Sequence, residues 1–284
     1  MALGFRSEKK SKKVDEARLL QETLGNIELP SFPGVILDAL DTIRQPDSSA
    51  SQVATAIQAD PGVTVKLLRL VNSAAFSPSR PIENVSQAVA IAGLGTVESM
   101  LLAVGANVAL PHVDVEGLDQ RRFWQSAARR GSIARTFAAE LHPSTAGQSF
   151  TAGLLQDMAI PLLAVARHDY RPVLTEWHGG GDDLHQLEES EFGWSHDQVA
   201  AWLCAEWELP ADLRNAIGGH HGRPDYDAPP AVELSAPFRE VETGEERELV
   251  IVRAHEDFGI SPDRSLELIE EAEINANEVA QLFI

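Results

Sequence analysis

The chain has 284 residues, enough for one large domain or two modest lobes that each bury a core. It carries 43 acidic against 23 basic side chains, a formal net charge of -20, which argues against direct contact with a nucleic-acid backbone. Aromatics are only 6% where hydrophobic residues are 44%, and the single cysteine excludes an internal disulfide, a balance that suits an aliphatic, helical protein of a reducing compartment.

Lys9, Lys10, Lys12 and Lys13 form a short basic run, read as a solvated start over residues 1–14. No apolar leader follows it, and apolar runs elsewhere are judged shorter than the roughly 18 residues a membrane-spanning helix needs. A cytoplasmic protein with no membrane partner is expected. After Pro33, Ile36, Leu40 and Ile43 fall on one helical face, and Pro46 ends the element. Ser49 or Ser51 can cap a helix carrying Val53, Ala56 and Ile57. Asp60-Pro61 is a sharp start signal, since Asp accepts from orphan N–H groups and Pro suits the first turn. The helix it opens buries Val63, Leu67, Leu70 and Val71 and stops near Asn72-Ser73, both good capping and turning residues. Asn84 or Ser86 opens the next helix, and an apolar helix runs from about Thr96 to Leu110.

Residues 112–120 are polar and read as the junction between a first lobe, 15–115, and a second, 116–224. The second lobe begins with a helix from about Arg121 to Leu141, followed by one from about Ser149 to Ala166. Gly179-Gly180-Gly181 is a turn: it precedes Asp182-Asp183, which would repel a phosphate. A helix from Ser195 to Trp207 contains Cys204, taken as a buried apolar group, and another helix reaches His220. The stretch from Arg223 to Arg247 lacks a steady period and reads as a long acidic surface loop. Two short helices, about 249–258 and 262–272, and a final turn complete a segment, 225–284, expected to pack on the second lobe. No strand alternation is convincing, so the fold class is all-α.

Several ordered motifs resemble one bacterial signalling family. Leu29-Pro30-Ser31-Phe32-Pro33, the run from Asp60-Pro61 to Asn72-Ser73, and Val85-Ser86-Gln87-Ala88-Val89 with Gly93-Leu94-Gly95 resemble the N-terminal half of the HDOD family. Ala152-Gly153-Leu154-Leu155-Gln156-Asp157, Phe192-Gly193-Trp194-Ser195-His196, Trp207-Glu208-Leu209-Pro210 and His220-His221 extend the likeness through the second half, over about residues 22–224. HDOD proteins are relatives of HD-type metal-dependent phosphohydrolases. The resemblance therefore implies two helical lobes, the second an HD-like bundle.

It also identifies what is missing. The adjacent His and Asp that would share an ion read Gln156-Asp157 here, and an amide binds divalent metals poorly compared with imidazole. Ser126, or Gln125 by a one-residue slip, stands where the family pattern places a first-helix His, and the final Asp falls near His255. Asp157, His196, His220 and His221 survive. On a helix, adjacent side chains point about 100° apart, so one of His220 and His221 is expected to face away from any shared ion. The vestigial set is thus Ser126, Gln156, Asp157, His196, His220 and His221, with Asp60, Pro61, Asn72 and Ser73 as structural signature residues. Arg129 and Arg130 are the cations nearest that set. The other histidines, His112, His142, His168, His178 and His185, are read as surface residues.

The expected function is a non-catalytic regulatory module, a pseudoenzyme that binds unidentified signalling proteins, with no catalytic residues, no cofactor and no resident metal. The alternatives are a divergent metal-dependent phosphohydrolase using Asp157, His196, His220 and His221 on a nucleotide or phosphodiester, and a non-catalytic cyclic-dinucleotide receptor. Basic residues for two phosphates are not clustered in the sequence, so the receptor ranks below.

Overall fold

Local chemistry starts the helices where the sequence places its caps. The Asp60 carboxylate accepts from the backbone N–H of Gly62 at 2.7 Å and Val63 at 3.1 Å, with Pro61 at the first helical position. Ser49 and Gln52 form a reciprocal capping box, and Asn84 accepts from Gln87 N–H. The structure is a computed structural model that describes residues 16–25, 27–112, 114–115, 117–180, 183–240 and 244–284. The Lys9–Lys13 run and Gly181 lie outside them.

The segment expected to form the first lobe contains α1 (residues 16–24), α2 (Gly34–Arg44), α3 (Ala50–Gln58), α4 (Pro61–Val71), α5 (Val85–Ala92) and α6 (Leu94–Ala109). The second contains α7 (Gln120–Leu141), α8 (Ala146–Leu155), α9 (Ala159–Ala166), α10 (Tyr170–His178), α11 (Leu184–Phe192), α12 (His196–Glu206) and α13 (Ala211–Gly218). Helices α14 (Pro230–Ser235), α15 (Glu246–Phe258) and α16 (Pro262–Phe283) complete the chain. The all-α class holds. One aliphatic core runs through both lobes, from Leu20 of α1 to Phe283 of α16, and a smaller cluster packs Ile133 and Phe137 of α7 against Phe238, Val250 and Ile269.

The motifs are packing devices that join the lobes. Trp207 Nε1 donates to Pro30 O at 2.7 Å, and its ring centroid lies 5.2 Å from that of Phe32, so the opening Leu-Pro element docks on the end of α12. The Asn72 amide bonds Ile82 N–H and C=O, both at 2.8 Å, and clamps the loop after α4. Ser73 is fully buried and donates to Leu70 O.

Four elements depart from the sequence reading. The junction holds a two-residue antiparallel ladder, β1 (Asp114–Val115) with β2 (Leu118–Asp119), too short to leave an alternation. The expected Ser149–Ala166 helix is two helices broken at Gln156-Asp157-Met158. Pro161, in the first turn of α9, has no N–H to offer the Asp157 carbonyl four residues back, and its ring crowds that carbonyl. The span Pro143–Ala166 is longer and more apolar than expected, with mean hydropathy 1.4 over an 18-residue window, but 89% of that window is buried inside the fold. The acidic loop contains α14, whose Val232, Leu234 and Ser235 are fully buried; six residues are too few for a period to show. Helix α16 runs 22 residues to Phe283 because Ala272, Ala276, Val279, Ala280 and Phe283 continue its apolar face with no breaker.

Helices α7 and α8 approach with no room for a side chain between them. A Cβ on Gly153 would lie 2.8 Å from both Ala134 Cβ and Arg130 O. This contact sets Arg130, midway along α7, against Asp157, just past the end of α8.

Candidate functional site

Three backbone interruptions converge on one point: the α8–α9 break, the start of α12 and the turn after α13. The break contributes Asp157. Ser195 precedes α12 and His196 is its first residue, while Asp197 accepts from the Ser195 hydroxyl and from Arg223 Nε at 2.5 Å. Arg223 thereby ties the turn after α13 to the start of α12. Helix α13 stops at Gly218, and the chain turns through Gly219 to Gly222, the latter at φ 74°. His220 and His221 therefore sit on a turn, not on a helix, and the expected angular separation does not apply. Both rings face His196: their centroids lie 5.4 and 5.1 Å from its own.

The donor atoms are close. His196 Nε2 and His220 Nε2 each lie 3.5 Å from Asp157 Oδ1, and His221 Nε2 lies 3.2 Å from His196 Nε2. The three imidazoles offer ligand atoms within 4.8 Å of one another. The other side of Asp157 is occupied: Oδ2 lies 2.9 Å from Arg130 Nη2. The same guanidinium donates through Nη1 to Phe238 O at 3.0 Å and to Ser126 Oγ at 3.2 Å. The buried cation Arg130 thus lies against the serine that takes the place of the first-helix histidine. Arg129, its neighbour, turns to Glu273 of α16 and stacks over Phe238 instead.

Glu188 of α11 was not singled out in the sequence. It is fully buried, and its Oε2 accepts from His196 N and Nδ1, both at 2.7 Å, while Oε1 accepts from the Tyr170 hydroxyl. Its signal was its place one turn from Leu184 on the buried face, lost among the neighbouring acids Glu189 and Glu191. His185, expected on the surface, is half-buried, with its ring 4.1 Å from that of His221. His112, His142 and His168 are exposed as expected, and so is His255, which takes no part in the site. Gln156 is fully buried and turns away, its Oε1 accepting from Ser235 Oγ of α14 at 3.2 Å.

Electrostatics follow from these contacts. Burial by itself would raise the Asp157 carboxyl, but Arg130, the hydrogen bond from His196 and the nearby imidazoles outweigh it and hold it well below the carboxylate range. Burial would neutralise His196, yet Glu188 and Asp157 on its two nitrogens raise it well above its usual value. Burial lowers His220 to about 4 despite Asp157, and burial together with the surrounding imidazoles holds His221 well below its usual value. The contacts thus set Arg130 and His196 against Asp157 and Glu188.

The site opens into a cleft of about 420 Å³ whose wall adds Arg239 and Arg253 to Arg130 and the histidines, but also Asp183, Glu233, Glu245 and Glu246. That balance gives two phosphates no concentrated positive surface.

A family model for the HDOD domain matches residues 29–223. The chain belongs to the HDOD domain family. An uncharacterized protein of Treponema pallidum (strain Nichols) is 29% identical over 199 residues, 69% of this chain but only 38% of that relative's length. The fold resembles that of a candidate phosphohydrolase from Shewanella amazonensis SB2B, at TM-score 0.72 and 19% identity over 93% of this chain and 98% of that one. It also resembles an HDOD domain protein of unknown function from Geobacter sulfurreducens, at 0.68 and 19% over 96% and 97%. A candidate signal transduction protein from Marinobacter aquaeolei VT8 is similar at 0.67 and 18%, over 96% of this chain and 66% of that one. Identities this low show the fold alone.

A divalent metal is what the sequence resemblance to HD-type proteins raises, and the residues fit one in part. Ser126 and Gln156 do not serve it: the hydroxyl is engaged by Arg130 and the amide faces α14. Asp157 Oδ1 and the three imidazoles do, and His220 Nε2 is buried without a hydrogen-bond partner among the described residues while its Nδ1 donates to Ile217 O at 2.6 Å. A metal held there would polarise or bind oxygen ligands if it kept a free position.

Proposed function

We propose that this chain is a non-hydrolytic regulatory domain of signal transduction that acts by binding other signalling proteins. The observation that carries the reading is Arg130 Nη2 at 2.9 Å from Asp157 Oδ2. Two-metal phosphoester hydrolysis needs a clamp of ions 3.5–4 Å apart, and a carboxylate between them is its usual bridge. Here a guanidinium held by Phe238 O and Ser126 Oγ lies 2.9 Å from one oxygen of that carboxylate as an ion pair, its positive charge standing where a second cation would bind, and the neighbouring Gln156 supplies no imidazole. Tethering by Arg130 also makes Asp157 a poor general base, because its carboxyl is held far below neutral pH.

A second reading, a phosphohydrolase working with a reduced donor set, draws on the convergence of His196, His220 and His221 in an open cleft. It is less favoured because Asp157 Oδ1 and three imidazoles already make four donors, which leaves no position for an attacking water on a tetrahedral ion.

The test is turnover of bis(p-nitrophenyl) phosphate and of a cyclic dinucleotide, with Mn²⁺, Fe²⁺ or Zn²⁺ added. No rate above the metal-only control is expected. A rate that Asp157→Ala abolishes replaces this reading with the hydrolase.

A further inference from the structure

Asp157 presents its two oxygens to different chemistry. Oδ2 belongs to Arg130; Oδ1 faces the imidazoles. Donors bound to zinc at roughly 2.0–2.1 Å in a tetrahedron stand about 3.3–3.4 Å from one another. Three of the separations approach this: 3.5 Å for His196 and for His220 to Asp157 Oδ1, and 3.2 Å between His196 and His221, while the imidazole donors as a group lie within 4.8 Å of one another and draw together on an ion.

The rings are oriented from behind, as ligating histidines are. His196 Nδ1 is fixed by Glu188 at 2.7 Å and His220 Nδ1 by Ile217 O at 2.6 Å, so both Nε2 atoms point inward. His220 Nε2, 2% exposed as a residue, has no hydrogen-bond partner among the described residues. A buried nitrogen left unpaired is a cost that a ligand would remove.

We propose that Arg130 makes this a single-cation site: with Oδ2 taken, Asp157 Oδ1, His196, His220 and His221 form a closed four-donor set for one divalent cation of the zinc class. Such an ion joins the α8–α9 break, the start of α12 and the turn after α13. It is a structural or regulatory ligand that ties three segments together. Glu188 is a positioning residue: it holds the His196 ring and does not touch the ion. The inference rests on the non-hydrolytic reading only for the ion's role; count and geometry stand on the donor atoms.

The experiment uses the full chain, stripped with chelator and titrated with Zn²⁺ or Co²⁺ alone. One equivalent is expected, with intense visible Co²⁺ bands typical of tetrahedral coordination and a rise in melting temperature. His221→Ala, at a half-buried position, keeps the helical spectrum and loses the cobalt bands. Glu188→Gln weakens zinc binding by about 10- to 100-fold. No binding, two equivalents, or the weak bands of a five- or six-coordinate ion overturn the proposal. Phosphodiester turnover by the zinc-loaded protein is read separately and overturns the proposed function, whatever the metal count.

Discussion

Arg130 and Asp157 form a buried ion pair beside the close approach of α7 and α8 at Gly153, with Nη2 and Oδ2 2.9 Å apart and side chains 1% and 13% exposed. Removing one member of such a pair leaves the other charge unpaired, which costs more than the pair itself contributes. Arg130→Met is expected to lower stability by about 3–5 kcal/mol in urea denaturation, and adding Asp157→Asn should restore a large part. A loss below about 1 kcal/mol in the single variant would mean the pair does not organise the site.

Glu188 satisfies the Tyr170 hydroxyl and two nitrogens of His196 in a fully buried position. Glu188→Ala strands all of them, and each buried unsatisfied group costs about 1–3 kcal/mol. Tyr170→Phe removes one partner together with its own donor and should cost only about 1 kcal/mol. Chemical denaturation of the two variants checks the ratio; equal losses would mean that Glu188 is held by packing alone.

Gly153 and Gly95 give a matched contrast. A Cβ at Gly153 meets Ala134 Cβ and Arg130 O at 2.8 Å, while one at Gly95, inside α6, meets nothing within 4 Å. Gly153→Ala should destabilise by about 1–3 kcal/mol through overpacking. Gly95→Ala should stabilise by about 0.5–1 kcal/mol, since alanine loses less backbone entropy in a helix. Thermal melts of both test whether α7 and α8 approach as described.

Glu240 gives the fold a pH dependence away from the histidine cluster. Burial, with Arg130 opposing it, raises its carboxyl to about 8, against 4.5 in the unfolded chain. The group is raised, so its contribution is complete below about pH 4.5 and is lost as pH climbs through about 8. Across that window it should lower stability by at most about 1.4 kcal/mol per pH unit. Glu240→Gln, neutral throughout, should equal the parent near pH 5 and exceed it at pH 9. Parallel melting curves for the two proteins across this range would refute the assignment.

The sequence by itself determined the class and most of the frame. The caps at Asp60 and Asn84, the periodicity of α2 to α7 and the ordered motifs are local statements, and local chemistry is enough to place them. It also identified Asp157, His196, His220 and His221, and found Gln156 and Ser126 where imidazoles were wanted. Only the tertiary structure decided how these act together. Whether His220 and His221 face one way depends on α13 ending at Gly218: Gly218, Gly219 and Gly222 permit a turn there, but which residue ends the helix is settled by packing and by the Arg223–Asp197 tie. The α8–α9 break had a local signal in Pro161, but both halves are apolar and their shared period read as one helix across it. Glu188 looked like its solvated neighbours, because burial of an acid is decided by partners distant in sequence. Arg130 was visible as a nearby cation, but its choice of Asp157 follows from the absence of a Cβ at Gly153, which lets two helix backbones meet.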